Sequence, residues 1–127
     1  MAKKVKSIID FMAYEGTLTN NPADADKVKN TVEESAATEV FRRRESIADA
    51  TTDYTIVLPD AATEYLLIFT DQQISIKLNG SSDALVLSPK TATVKAFVYY
   101  TRGVISALTI SNASGSAANV DIISVQI

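Results

Sequence analysis

The chain has 127 residues, 46% of them hydrophobic and 21% charged, with a net charge of -3 and no His, Cys or Trp. That length is the usual size of one domain with a real core, and the near-average charge content argues against a wholly disordered chain. No apolar run approaches the ~18–20 residues that span a bilayer, and the opening MAKKVKS lacks an apolar stretch with a small-residue cleavage site, so neither a secretory signal nor a membrane anchor is expected.

Charge is distributed unevenly. Eight of the 12 Lys and Arg and nine of the 15 Asp and Glu fall within the first 50 residues, whereas Val, Ile and Thr supply 25 of the remaining 77. Such β-branched side chains suit a pleated, half-buried surface. The shift divides the chain into a charged arm, 1–37, and a β-rich body, 38–127.

In the arm, Val5, Ile8, Ile9, Met12 and Ala13 recur at i, i+3, i+4, i+7 and i+8, which predicts a helix with Gly16 as its C-cap. Val5, Ser7, Ile9, Phe11 and Ala13 also alternate, so a strand is the competing reading; the helix is preferred. Thr17 to Asn21 reads as a turn. Asn21-Pro22 then reads as an N-cap with Pro at N1, and Asp24 stands in a capping-box position. The second helix, Pro22 to about Ala37, has only a thin apolar stripe of Ala25, Val28, Val32 and Ala36 and needs a partner surface.

The body reads as eight short strands bounded by turn signals. They fall near 38–48, 54–58, 64–70, 74–79, 85–87, 91–100, 104–111 and 119–127. Glu64 to Thr70 is almost continuously apolar, as in a strand buried on both faces. Pro59-Asp60, Asn79-Gly80, Pro89, Arg102-Gly103 and the loop Asn112 to Ser116 mark the turns. The last strand carries Val120 and Ile122 on one face and Ile123, Val125 and Ile127 on the other if a bulge intervenes. Regular spacing without intervening helices predicts a mainly β fold, an antiparallel β-sandwich of jelly-roll or immunoglobulin type, with a charged, partly helical N-terminal arm. Periodicity does not distinguish a sandwich from a small barrel.

The missing residue types remove chemistry. Without His and Cys there is no Ser-His-Asp triad, thiolate nucleophile, Cys or His zinc site, or facial triad. The acids Asp49, Asp53, Asp60, Glu64, Asp71 and Asp83 sit near strand ends, where turns and caps commonly place them. Asp24-Ala25-Asp26 lacks the Gly and Glu that complete a calcium loop. Ser81-Ser82 and Ser114 have no base partner in view. No cofactor, no metal and no enzymatic activity are expected.

Binding candidates remain. Arg42-Arg43-Arg44 is the dense basic cluster, and strand alternation puts Arg42 and Arg44 on one face and Arg43 on the other. Glu39 and Glu45 dilute its field, so a protein contact is favoured over nucleic acid; a solvated edge strand is the plain alternative. Lys3, Lys4 and Lys6 precede the arm's apolar face, but Asp10 and Glu15 weaken a membrane-surface reading. Tyr99-Tyr100, with Phe97 and Tyr54, are candidates for a sugar-stacking platform, though mixed core and surface aromatics are the commoner explanation.

Three segments carry a likeness: TTDYTIVLP, EYLLIFTDQQISIKLNG and GVISALTISNASGSAANVDIISVQI. Across Thr51 to Ile127 they resemble small β-sandwich virion proteins of tailed bacteriophages, of decoration, head–tail or tail-associated type. The likeness rests on a hairpin at Ile76 to Gly80 and on the run Leu108 to Val120 leading into a terminal strand. It contains no catalytic motif. It implies a non-enzymatic structural protein located in the virion, assembled in the host cytoplasm, whose partners are other virion proteins and copies of itself. Val5, Ile8, Ile9 and Met12 are the expected arm anchors, and Arg42, Arg43 and Arg44 the expected electrostatic contact. The rival readings are a receptor- or carbohydrate-binding module and a small carboxylate-dependent hydrolase.

Overall fold

The structure, a computed structural model, describes the backbone of residues 3–13, 26–37, 39–58, 63–91 and 93–126. Side chains are described for 6, 8, 40–58, 63–91, 93–100 and 105–126. The expectations at Gly16, Thr17 to Asp24 and Pro59-Asp60 lie outside these residues. The chain divides into two compact units, Met1–Ala37 and Thr38–Ile127.

The first unit corrects the helical expectation. It is an antiparallel hairpin of β1 (Lys3–Ala13) and β2 (Asp26–Ala37). The register sets Lys6 opposite Glu33 and Asp10 opposite Lys29, an arrangement of opposite charges that favours pairing. A helix with the thin stripe of the second segment has little surface to bury, whereas the ladder supplies backbone partners along both segments. The single stripe joining Val5, Ile8, Ile9 and Met12 belongs to a helix and has no counterpart in a strand of period two.

The second unit holds eight strands: β3 (Glu39–Ile47), β4 (Thr51–Ile56), β5 (Thr63–Thr70), β6 (Ile74–Leu78), β7 (Leu85–Leu87), β8 (Ala96–Ile105), β9 (Leu108–Asn112) and β10 (Ala118–Gln126). They form two antiparallel four-stranded sheets, ordered β3-β10-β5-β8 and β4-β9-β6-β7. One core joins both. Leu66, Ile68 and Ile122 from the first sheet cluster with Ile76, Leu108 and Ile110 from the second, all essentially without solvent exposure. Each such side chain contributes about 1.5–3 kcal/mol relative to exposure.

One turn expectation changes. Arg102-Gly103 does not end a strand but lies within β8, where the pairing with β5 shifts from Tyr65↔Thr101 to Thr63↔Ile105. The extra residues on β8 form a bulge, a usual place for a strand glycine. No bulge intervenes in β10, whose pairing with β3 and β5 runs without a shift; plain alternation sorts its faces. Ile122 and Ile123 therefore point to opposite faces, and β10 is apolar on both. Asn79-Gly80 does turn, with φ of 53° and 70°, and Asn79 does more than turn. Its Oδ1 accepts from the Ser106 amide at 2.7 Å and the Ser106 hydroxyl at 3.1 Å, tying the β6–β7 and β8–β9 loops together.

A second polar tie holds the sheets at one end. Asn112, at the end of β9 and fully buried, donates to Ile47 O in β3 at 2.9 Å and to Ser116 O at 2.8 Å. Its Oδ1 accepts from the Ser114 amide at 3.0 Å.

Candidate interaction face

The outer surfaces of the two sheets differ in kind. On the β4-β9-β6-β7 sheet, Thr55, Thr109 and Lys77 form one outward row, and Ser111, Ser75 and Val86 form another. Lys77 Nζ lies 3.2 Å from Asp53. The centre of this face is polar, as expected of an antiparallel sheet with one solvated face, while Leu85 and Val86 are exposed at its β7 edge and Tyr54 at its β4 edge.

The β3-β10-β5-β8 sheet breaks that pattern. Register places Arg44, Asp121, Phe69 and Phe97 side by side across the four strands. The next outward row is Arg42, Ile123, Leu67 and Tyr99; in the row beyond, Val40 is at the surface but Val125 and Tyr65 are buried. Phe97 is 59% exposed and its ring centroid lies 5.4 Å from that of Phe69; Val40 is also exposed. The result is an apolar and aromatic field with cations along its β3 edge.

Asp121 is the acid within this field. Arg44 reaches it with two prongs, Nε to Oδ1 at 2.8 Å and Nη2 to Oδ2 at 3.2 Å, and Lys95 Nζ approaches to 3.9 Å. The Arg44 hydrogen bond holds the Asp121 carboxyl below the usual carboxylate range, against the opposing effect of burial, and Arg44, Lys95 and Arg42 add favourable charge. Asp121 in turn raises the Arg44 pKa. Among the described residues Arg42 forms no ion pair, so its charge remains available to a partner.

Arg43 projects to the other side of β3, as alternation predicts. It pairs with Glu45, donates Nη1–H to Val57 O at 2.9 Å, and lies 5.9 Å over the Phe41 ring. Inward charges of this kind on an edge strand oppose pairing with a foreign strand.

The remaining sequence candidates are scattered. Ile8 of the arm is exposed; the side chains of Val5, Ile9 and Met12 lie outside the described residues. Tyr99 shares the outward face with Phe97, but Tyr100 packs against the core and Tyr54 stands in the other sheet. The acids serve as loop ties. Asp49 accepts from the Gly115 amide at 2.8 Å, and Asp71 accepts from the Asn119 amide at 2.8 Å and side chain at 3.0 Å. A shallow polar hollow of about 280 Å³ lies at the loop end beside Asp71, Gln73, Lys90 and Ser114. Among the described residues no group of three acidic, His or Cys side chains could hold a metal ion, and no helix is long and apolar enough to cross a membrane.

Sequence reasoning missed Leu67, Phe69 and Ile123 as part of an outer face. Their signal was present: consecutive apolar residues at 66–69 and 122–123 put apolar groups on both faces of central strands. No family model, curated protein or solved structure matches the chain.

Proposed function

We propose that the chain is a non-enzymatic structural subunit of a bacteriophage virion, with a jelly-roll sandwich for a body that packs against neighbouring capsid, head–tail or tail subunits. The strand order supports the jelly-roll reading. The first and last body strands are neighbours, and the chain crosses repeatedly between two four-stranded sheets. Jelly rolls build viral capsid and lectin domains. A fold alone does not define a function, so the reading rests on the apolar strip that Ile123, Leu67, Phe69, Tyr99 and Phe97 form on the outer face of the β3-β10-β5-β8 sheet. Apolar surface of this kind favours a protein partner over water. Arg42 on its edge adds an electrostatic contact, and the arm 1–37 is a further contact in this reading. Peptide mass spectrometry of purified particles from a phage encoding this chain tests it. The chain is expected in fixed proportion to the other virion subunits; its presence in the infected-cell lysate but absence from intact particles would overturn the proposal.

The exposure of Phe97 beside Phe69 favours a second reading, a carbohydrate-binding module that stacks a sugar ring on these aromatics. It predicts saturable binding on a glycan array that is lost in Phe97→Ser.

A further inference from the structure

The partner of the apolar face can be named from the face itself. Its columns run in the order cationic, mixed, apolar, aromatic: Arg42 and Arg44 on β3, Asp121 and Ile123 on β10, Leu67 and Phe69 on β5, Tyr99 and Phe97 on β8. A two-fold axis lying in the plane of contact and parallel to the strands, midway between β10 and β5, reverses the order of columns and keeps the rows. Under that operation Arg42 of one copy lies opposite Tyr99 of the other, Arg44 opposite Phe97, and Ile123 opposite Leu67. Guanidinium over an aromatic ring is favourable when desolvated, and Arg and aromatic side chains are enriched in interfaces. An axis across the strands instead sets Arg42 against Arg42, and like charges at close quarters are costly.

We infer that the outer face of the β3-β10-β5-β8 sheet binds a second copy of this chain, face to face, about a two-fold axis parallel to its strands. The inference rests on the structural-subunit reading and specifies the neighbour. Four strands at about 4.8 Å and two open outward residues per strand cover about 19 Å by about 14 Å, or about 260 Å². A stable interface buries about 800 Å² per partner. The pairing is therefore weak between two free chains and strengthened where many copies are held together, as in a particle.

The chain has no Cys, so introduced cysteines report contacts without background. Arg42→Cys and Tyr99→Cys chains are mixed at high concentration and treated with a bismaleimide no longer than the sheet spacing of about 10 Å. The inference predicts a covalent 42–99 dimer in the mixture and little in either variant alone, because position 42 lies three strand spacings, about 14 Å laterally, from its own symmetry mate. Phe97→Ser in the Tyr99→Cys background removes the dimer, whereas Val86→Ser, on the opposite sheet, leaves it intact; circular dichroism verifies folding of each. Self-linking of the Arg42→Cys chain, or no 42–99 product, overturns the inference. Either result, obtained with a chain found in fixed proportion in purified particles, leaves the structural-subunit reading standing and removes only the second copy as occupant of this face.

Discussion

Asn112 offers the sharpest test of what holds the body together. Its side chain makes three hydrogen bonds from a fully buried position and links the end of β9 to the end of β3 in the other sheet. Replacement by Ala removes all three, each contributing about 1 kcal/mol net. It also takes the side-chain donor from the Ile47 carbonyl, and a buried polar group left unmatched costs more than the bond itself, whereas the Ser116 carbonyl keeps the Ser114 hydroxyl at 2.9 Å. The expected loss for Asn112→Ala is about 3–4 kcal/mol, a large fraction of the ~5–15 kcal/mol by which a domain is stable. With a urea dependence of about 2 kcal/mol per molar, the unfolding midpoint falls by about 1.5–2 M. Tyrosine fluorescence suits the measurement, because Tyr54, Tyr65, Tyr99 and Tyr100 lie in the body and only Tyr14 lies in the arm. Asn112→Asp separates hydrogen bonding from packing. At neutral pH it presents an acceptor to two carbonyls, so it is expected to lose at least as much as Ala, with partial recovery in acid where a protonated carboxyl donates once. A loss below about 1 kcal/mol for Ala, or an Asp variant as stable as wild type at neutral pH, would refute the reasoning.

Three further outcomes follow from particular residues. Asp121 has its carboxyl pKa lowered by the Arg44 hydrogen bond, so the stability it contributes is full above the ordinary carboxylate value near 4 and drains as pH falls through the lower folded value; urea midpoints from pH 7 to pH 3 should fall less steeply for Asp121→Asn than for wild type, and equal slopes would sink the assignment. The Ser124 hydroxyl is buried without a hydrogen-bond partner, so Ser124→Ala is expected to stabilise by about 1 kcal/mol in the same assay, and a destabilisation of that size would contradict it. Replacing Arg43 and Glu45 together by Val removes the inward charge pair from the β3 edge; the double variant should fold but scatter light increasingly with time and concentration, and a soluble, non-aggregating variant would show that the pair does not protect the edge.

The β character of the body was legible because strand periodicity and turn chemistry are local. Ile74, Ile76 and Leu78 alternate before Asn79-Gly80, and the turn forms there with positive φ at both residues. Arg42 and Arg44 fall on one side of β3 and Arg43 on the other for the same reason, since side chains of a strand alternate whatever the strand pairs with. The arm was misread because a short apolar segment fits two periods at once. Val5, Ile8, Ile9 and Met12 satisfy 3.6 while Val5, Ile9 and Phe11 satisfy 2, and the choice fell to pairing partners 13 to 34 residues away. Gly103 was misread as a turn for a related reason: glycine marks both turns and bulges, and only the β5 register tells which.

The candidate face was the least legible, because it is a property of four strands at once. Strand spacing in sequence says nothing about which strands become neighbours. The rows Arg44, Asp121, Phe69, Phe97 and Arg42, Ile123, Leu67, Tyr99 draw on β3, β10, β5 and β8, which are far apart along the chain. Local sequence by itself determined that this protein is built of short strands, that it lacks His and Cys chemistry, and that its charges concentrate near the start. Only the tertiary structure decided strand order, and with it which outward residues adjoin, which acid meets which arginine, and which sheet turns an apolar face to the outside. The physical reason is that patterning encodes what each residue buries, whereas adjacency is set by long-range hydrogen-bond pairing between segments that share no local signal.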